Sequence, residues 1–238
     1  MRKGDARKAA IIDTAQRLFY TKGYENTSIQ DVLDELHLSK GGFYHHFESK
    51  MALLEAISEK LVEESYSDCV EQLKTIDDIS ARLSMIFELS TFLGQPSMKF
   101  KVIMLSVAYK ERNVMLREQM KAASTALMRG LLKNELDMGQ SKKLLQNRFP
   151  RVNDVILLNI CHSLADEISN CIVKKQDSVT RAAEITMLIN AYTYCIETQL
   201  ALPQGSLKLV KSAACGELMN AYDEADRSSA DNAETVTY

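Results

Sequence analysis

Residues 27–50 have the sequence TSIQDVLDELHLSKGGFYHHFESK, and this stretch decides the fold of the amino-terminal end. Apolar residues at helical spacing predict a helix over 27–36, and the hydroxyl–x–x–Gln pattern at Thr27 fits a capping box. A short turn follows, and Ser39 is expected to cap a second helix over 40–47. Two short helices joined by a three-residue turn form a helix-turn-helix unit, whose second helix can enter the major groove of DNA.

The flanking sequence completes a small helical domain. The segment 9–20 predicts an amphipathic helix, and Gly23 is expected to end it because glycine readily adopts the left-handed conformation at helix ends. Ser49 predicts the cap of a long fourth helix that extends to about Lys74. We therefore expect a three-helix DNA-binding domain at residues 1–48.

The second short helix carries residues that its own stability does not require. Gly41 and Gly42 each lower the stability of a helix by about 1 kcal/mol relative to alanine. The alternative is that the two glycines only extend the turn and do not belong to the helix. Glycine does allow close approach of the helix to a large partner. Lys40 and Lys50 lie at the starts of two helices, where the helix dipole disfavours cations. A surface that faces an external anion would explain both features.

The remaining sequence favours helix. Only 9 Gly and 3 Pro occur in 238 residues, and 46% of the residues are hydrophobic, so we predict an all-α fold rather than a sandwich or barrel. Six further helices are predicted, at 78–93, 97–112, 114–136, 152–175, 179–202 and 206–225. Residues 49–225 are thus expected to form an all-helical body, followed by a disordered tail at 226–238.

Charge and cysteine content indicate a cytoplasmic protein that meets a polyanion at one end. The net charge is −3, yet residues 1–23 contain six cations and two carboxylates. The five cysteines form no C-x-x-C pair, which predicts reduced thiols and neither a disulfide framework nor a zinc site. No apolar run is long enough to span a membrane and no secretory signal is recognisable. We expect no membrane partner, no metal and no cofactor.

Three motifs together resemble the DNA-binding domain of the TetR family of transcriptional regulators. They are KGYENTS at 22–28, LSKGGFYHHF at 38–47 and the Ser49-Lys50 pair. The resemblance covers roughly residues 8–55. It implies a homodimer that binds a pseudo-palindromic operator in double-stranded DNA, usually as a repressor that a small-molecule effector releases. The DNA-binding residues that it implies are Thr27, Ser28, Ser39, Lys40, Gly41, Gly42, Tyr44, His45 and Lys50.

A few positions depart from the family pattern. His37 stands where the turn usually has glycine, and histidine tolerates a positive φ better than most residues, so the turn is expected to survive. Leu33 and Leu36 occupy positions that are commonly alanine, and Met51 replaces a common glutamate. These departures bear on operator details more than on the class of protein.

The resemblance implies that residues 49–225 bind a ligand and form the dimer. Apolar positions on the two long helices at 152–175 and 179–202 are candidates for the dimer interface: Ile156, Ile160, Leu164, Ile168, Met187, Ala191 and Tyr194. Aromatic, methionine and polar positions are candidates for the ligand pocket: Phe92, Phe100, Met104, Tyr109, Met128, Asn159 and His162. For both sets the alternative is ordinary intramolecular core.

Two other functions stay open. Asn159, His162 and Asp166 form a polar line that would suit an all-α enzyme or a small-molecule carrier. No phosphate-binding glycine loop, zinc motif or nucleophile motif accompanies it, so we expect no enzymatic activity. A DNA-bound factor that recruits a partner without a ligand of its own is the third possibility.

Overall fold

The computed structural model describes residues 3–110, 113–174 and 176–235, and all regular structure in them is helical, which confirms the all-α fold class. Ten α-helices follow one another in this described part, with a short 3-10 helix (Phe92–Gly94) between the fifth and sixth. They are α1 (Lys3–Lys22), α2 (Ile29–Leu36), α3 (Lys40–Tyr44), α4 (Lys50–Leu73), α5 (Ile79–Leu89), α6 (Met98–Ala108), α7 (Val114–Ser141), α8 (Asn153–Val173), α9 (Ser178–Leu200) and α10 (Ser212–Thr235).

The chain forms two compact units, Met1–Glu63 and Glu64–Tyr238. The sequence predicts the domain boundary at residue 48, whereas the boundary between these units lies inside α4. The first half of α4 belongs to the amino-terminal unit because its side chains bond to earlier residues. Lys50 donates to the Tyr24 carbonyl oxygen at 2.8 Å, and the Lys60 ammonium lies 2.7 Å from the Asp13 carboxylate.

The start of α2 differs from its predicted form. Its N-cap is Ser28, whose hydroxyl oxygen accepts a hydrogen bond from the Asp31 N–H at 3.1 Å. The Asp31 carboxylate accepts in return from the Ser28 N–H at 2.7 Å, which completes a capping box. The box predicted from Thr27 and Gln30 is therefore wrong by one residue. Both positions offer a hydroxyl, and the acidic residue at the third helical position decides between them.

The turns of the helix-turn-helix unit have the predicted conformations. Gly23 ends α1 with a φ of 85°, and His37 ends α2 with a φ of 49°. The His37 N–H donates to the Asp34 carbonyl oxygen at 3.3 Å, which helps to hold this left-handed residue. Ser39 caps α3 by accepting from the Gly42 N–H at 3.2 Å, as expected. The regular part of α3 ends at Tyr44, earlier than the predicted residue 47.

Apolar side chains from α1, α2, α3 and the residues after α3 fill the interior of the amino-terminal unit. The rings of Phe43 and Phe47 are buried with their centroids 5.9 Å apart. Leu33, one of the departures from the family pattern, is buried in α2 beside the equally buried Val32. The larger leucine is thus accommodated inside the domain.

The second unit is built around α8, which packs against α5, α7, α9 and α10. Its buried residues include Leu157, Leu158, Cys161 and Ile168. By length and composition α8 is also a candidate membrane span, the one such helix in the described residues, but more than half of the apolar window is buried inside the protein. An apolar helix surrounded by other helices is what a protein core requires.

Several helix ends in this unit differ from the sequence prediction. α5 ends at Leu89 instead of 93, α6 ends at Ala108 instead of 112, and α7 extends to Ser141 instead of 136. α10 begins at Ser212 rather than 206, because the segment before it is held in another conformation: the Glu197 carboxylate accepts from the N–H groups of Gly205 and Leu207 at 3.0 and 2.8 Å. The tail predicted as disordered over 226–238 continues α10 up to Thr235, and residues 236–238 lie outside the described residues. Residue 112, the predicted end of the helix at 97–112, also lies outside them.

Candidate functional site

The start of α3 is an exposed surface whose residues have few roles in the folded domain. A Cβ atom at Gly41 would meet nothing within 4 Å, and one at Gly42 would make an ordinary contact with Ser39 Oγ at 3.4 Å. Lys40 is exposed and forms no ion pair with any described residue. The domain itself therefore requires glycine at neither position, although each costs about 1 kcal/mol in a helix. The fold thus gives no structural reason for glycine at either position.

Tyr44 and His45 extend this surface along α3. The Tyr44 side chain is 52% exposed, and its ring meets the buried Phe43 ring edge-on at 5.4 Å. His45 is also exposed, while the imidazole of His46 lies at an angle beside it with ring centroids 5.0 Å apart. The structure thus gathers Ser39 through Gly42, Tyr44 and His45 on one short element anchored by Phe43.

Two predicted phosphate contacts at the start of α2 have different environments. Thr27 is buried, and its hydroxyl donates to the Gly23 carbonyl oxygen at 2.8 Å, so its side chain is not offered to DNA. Ser28 is exposed, but its hydroxyl donates to the Asp31 carboxylate at 2.6 Å. The hydrogen bonds from Lys22 and Ser28 lower the pKa of Asp31 well below its usual range. The Lys22 ammonium, 2.6 Å away, compensates that charge.

Lys50 has an internal role that its sequence position does not reveal. Its ammonium donates to the carbonyl oxygens of Tyr24, Glu25 and Thr27 at 2.8, 3.3 and 3.0 Å. The same ammonium lies 4.3 Å from the centre of the Tyr24 ring. An ammonium has three N–H donors, and all three are used here. Lys50 therefore positions the α1–α2 connection, instead of presenting free donors to a phosphate as predicted.

Two cations near α3 are absent from the predicted set. Lys8 Nζ lies 5.9 Å from the centre of the Phe47 ring, which places the first turns of α1 beside the residues that follow α3. Arg7 precedes it and is exposed. Neither forms an ion pair with a described residue, unlike Arg17, which pairs with Glu35. The basic run at the start of the sequence was the available signal, but the sequence alone does not place it next to α3.

The predicted ligand-pocket residues separate into different environments. Met128 is fully buried in the main core of the second unit, whereas Phe100 and Met104 are buried outside that cluster. Phe92 and Tyr109 are half-buried, with ring centroids 5.9 Å apart. Asn159 is exposed on α8 and so does not join the other candidates.

His162 and Asp166 bond to different partners. The buried His162 ring places Nε2 2.9 Å from the Ser90 carbonyl oxygen. Asp166 accepts from the Tyr109 hydroxyl and from the Lys121 ammonium, each at 2.9 Å. Burial and then the Asp166 charge raise the pKa of Tyr109, so its hydroxyl stays protonated and donates. The predicted polar line is thus two separate clusters, and the arrangement is not that of a catalytic dyad.

A cavity of about 410 Å³ opens elsewhere in the second unit, where the α8–α9 connection meets α10. None of the predicted pocket residues lines it. Arg181 is one of the residues that line it. The Arg181 guanidinium donates to the Asp223 carboxylate at 2.5 and 3.0 Å and to the Ile172 carbonyl oxygen at 2.8 Å. Within the described ranges, no group of three or more His, Cys, Asp or Glu residues is arranged to hold a metal ion.

The predicted dimer residues divide between surface and core. Leu164 and Ile168 are buried against other helices of the same chain, so their assignment to an interface is wrong. The other five are exposed or half-buried, namely Ile156, Ile160, Met187, Ala191 and Tyr194. On α9 the exposed apolar positions recur every three or four residues, at Val179, Ala183, Met187, Ala191 and Tyr194. This is one continuous face of the helix.

Comparisons with known proteins find relatives of the amino-terminal unit. Residues 11–57 match the family model of bacterial regulatory proteins, tetR family. The uncharacterized HTH-type transcriptional regulator YuxN of Bacillus subtilis is 54% identical over 44 residues, which are 18% of this chain and 15% of that protein. The HTH-type transcriptional regulator EthR of Mycolicibacterium smegmatis is 30% identical over 97 residues, 40% of this chain and 45% of that protein. The chain thus matches less than half the length of either curated relative.

Solved structures extend the likeness to the whole fold. A TetR-family transcriptional regulator from Pectobacterium atrosepticum superposes with a TM-score of 0.57 at 17% identity, over 85% of this chain and 99% of that one. The fatty acid degradation regulator FadR from Bacillus halodurans gives a TM-score of 0.51 at 17% identity, over 79% and 96% of the two chains. The amino-terminal unit therefore matches the tetR family of bacterial regulatory proteins over residues 11–57, and the chain as a whole shares the fold of a solved TetR-family regulator.

Proposed function

We propose that the protein is a transcriptional regulator that inserts α3 into the major groove of an operator in double-stranded DNA. The observation that carries the proposal is the pair Gly41 and Gly42, which the fold does not require, next to the exposed Lys40 and Tyr44. A helix start without side chains approaches base edges closely, and the neighbouring cation and hydroxyl suit phosphates. Arg7 and Lys8 extend the positive surface beyond α3.

A second copy of the chain supplies the second half of the site. The exposed apolar face of α9, together with Ile156 and Ile160 on α8, would pair with the same face of another protomer. Two α3 helices related by a two-fold axis would bind half-sites about one helical turn of DNA apart, or slightly more. We therefore propose a homodimer and a pseudo-palindromic operator.

Regulation by a small molecule in the second unit completes the proposal, with repression as the unliganded activity. α4 contributes residues to both units, and its Ser65 hydroxyl donates to the Gln95 side chain at 3.0 Å. Gln95 follows the 3-10 helix after Ser90, the residue whose carbonyl oxygen receives His162. A ligand that shifts this segment would act on α4 and so on the DNA-binding unit. The protein would act in the cytoplasm and have no catalytic role.

Matched glycine substitutions test the proposal. Gly41 and Gly130 both lie inside helices, and a Cβ atom at either would meet nothing within 4 Å. Operator sequences are first selected from a random duplex pool with the wild-type protein. Gly41→Val is then expected to abolish operator binding while Gly130→Val retains it, with both variants folded by circular dichroism. Equal operator affinity for the two variants, or no sequence enriched in the selection, would contradict the proposal.

A further inference from the structure

We propose that the second unit binds a neutral, hydroxyl-bearing aromatic molecule whose hydroxyl group donates a hydrogen bond to Nδ1 of His162. This inference rests on the proposed function, because it names the chemical class of the effector. It comes from the environment of His162, from the aromatic residues beside it and from the charges that surround both.

The hydrogen bond to Ser90 fixes which imidazole nitrogen carries a proton. A carbonyl oxygen can only accept, so the His162 nitrogen that lies 2.9 Å from it, Nε2, carries the proton. Burial lowers the pKa of His162, and Lys121, Asp166 and Glu118 are the charged groups that also act on it. The ring is therefore neutral, and Nδ1 presents a lone pair.

That lone pair has no donor among the residues that the structure describes. His162 is only 5% exposed, and Nδ1 forms no hydrogen bond with any described residue. The Ser90 carbonyl oxygen, which accepts from the ring, also accepts from the Ser124 hydroxyl at 2.5 Å. This second bond fixes the position of the oxygen and so helps to hold the ring. Buried acceptors are almost always satisfied, since an unpaired one costs free energy. A fixed, buried acceptor without a partner is matched by a ligand that brings a donor.

Aromatic side chains connected to this acceptor through Ser90 and Asp166 favour an aromatic ligand. Phe92 lies two residues after Ser90, and its ring is tilted by 45° to that of Tyr109 at 5.9 Å. The Tyr109 hydroxyl donates to Asp166, which lies one helical turn beyond His162 on α8. Both rings are half-buried. Aromatic rings favour edge-on or offset contacts with another ring.

The charges around the cluster are already compensated, which favours a neutral ligand. Lys121 lies 2.9 Å from the Asp166 carboxylate and 2.6 Å from that of Glu118. The Arg117 guanidinium lies 5.0 Å from the centre of the Tyr109 ring and donates to the Ala108 carbonyl oxygen at 2.6 Å. A charged ligand would have to leave water without gaining an unpaired counter-charge. A phenolic hydroxyl provides the donor at no such cost.

Phenol and its methyl ether, anisole, separate the hydrogen bond from the apolar contact. Both are added to the full chain, and the midpoint of thermal unfolding is followed. We expect phenol to act at concentrations about ten-fold below those that anisole requires, because methylation removes the donor and keeps the ring. In His162→Met the two molecules should become equivalent, whereas His162→Gln, whose amide both donates and accepts, should restore part of the preference. Equal potency of the two molecules on the wild type, or no effect of either, would overturn the inference.

A measurement on the wild type alone guards against variants that do not fold. Nitrogen-15 NMR of the four histidine rings reports the tautomer of each imidazole. One ring should show the neutral form protonated at Nε2, and its Nδ1 signal should move with phenol but not with anisole. If every ring is charged or protonated at Nδ1, or if no signal distinguishes the two molecules, the inference is wrong. Operator selection without ligand tests DNA binding separately, so the two proposals can fail independently.

Discussion

Lys50 provides the sharpest test of how the amino-terminal unit is held together. Lys50→Met keeps the length of the side chain and removes the ammonium that bonds to the carbonyl oxygens of Tyr24, Glu25 and Thr27. These carbonyls belong to the connection between α1 and α2. The expected consequence is a local loss of stability in that connection, distinct from any loss of a phosphate contact.

The size of the effect follows from the three distances. The bonds to Tyr24 and Thr27, at 2.8 and 3.0 Å, have good lengths, while the bond to Glu25 at 3.3 Å is long and solvent-exposed. At about 0.5–1.5 kcal/mol for each of the two good bonds, the substitution should cost about 1–3 kcal/mol. That corresponds to about a 5- to 150-fold increase in the local opening equilibrium.

Hydrogen exchange measured by mass spectrometry resolves this change by segment. Peptides that cover residues 24–38 should exchange faster in Lys50→Met, while peptides from α8 remain unchanged. The salt dependence of operator binding gives the complementary readout. Lys40→Met should reduce the slope of log affinity against log salt by about 0.9, whereas Lys50→Met should keep the wild-type slope. Unchanged exchange in Lys50→Met together with a reduced slope would refute the reasoning and make Lys50 a phosphate ligand.

Two further predictions concern the dimer and the behaviour in acid. Met187→Glu places a charge on the exposed apolar face of α9 and should give monomers in sedimentation equilibrium. The control Asn134→Glu, on the exposed surface of α7, should leave the dimer intact. If the Met187→Glu protein is still a dimer, the α9 face is not the dimer interface. Asp31 has a depressed folded-state pKa, so its contribution to stability is fully present above its unfolded value near 3.9 and is lost progressively as the pH falls from there towards the lower folded-state pKa. The thermal midpoint of Asp31→Asn should therefore lie below that of the wild type at pH 7, and the difference should become smaller as the pH is lowered to 3, whereas the exposed control Asp68→Asn should follow the wild type throughout.

The helix-turn-helix unit could be predicted closely because its signals are local. Gly23, His37 and Ser39 act on backbone groups within a few residues, so their left-handed and capping roles follow from residue type and spacing. The error at Thr27 has the same origin. Two adjacent hydroxyl residues fit the same local pattern, and only Asp31 in the folded helix selects Ser28 as the cap.

The candidate site was harder to predict because its contacts connect distant parts of the sequence. Lys50 meets carbonyl oxygens that lie 23 to 26 residues earlier, which no spacing rule within a helix reveals. The same holds for α8, whose apolar residues cover a wide arc. Periodicity shows that such a helix is buried on more than one side, but not whether Leu164 faces its own chain or a second copy. In the structure it faces its own chain.

Glycine shows most clearly what the structure adds to the sequence. By local propensity Gly41 and Gly94 are equally unfavourable in helical segments, and the sequence does not distinguish a structural need from a functional one. A Cβ atom at Gly94 would collide with the backbone of Glu88, so the fold itself excludes a larger residue there. The space around Gly41 is open, so the fold would accept alanine and gain stability. A residue that lowers stability without serving the fold is expected where a partner must fit, and this is the reason for which we propose that the start of α3 contacts DNA.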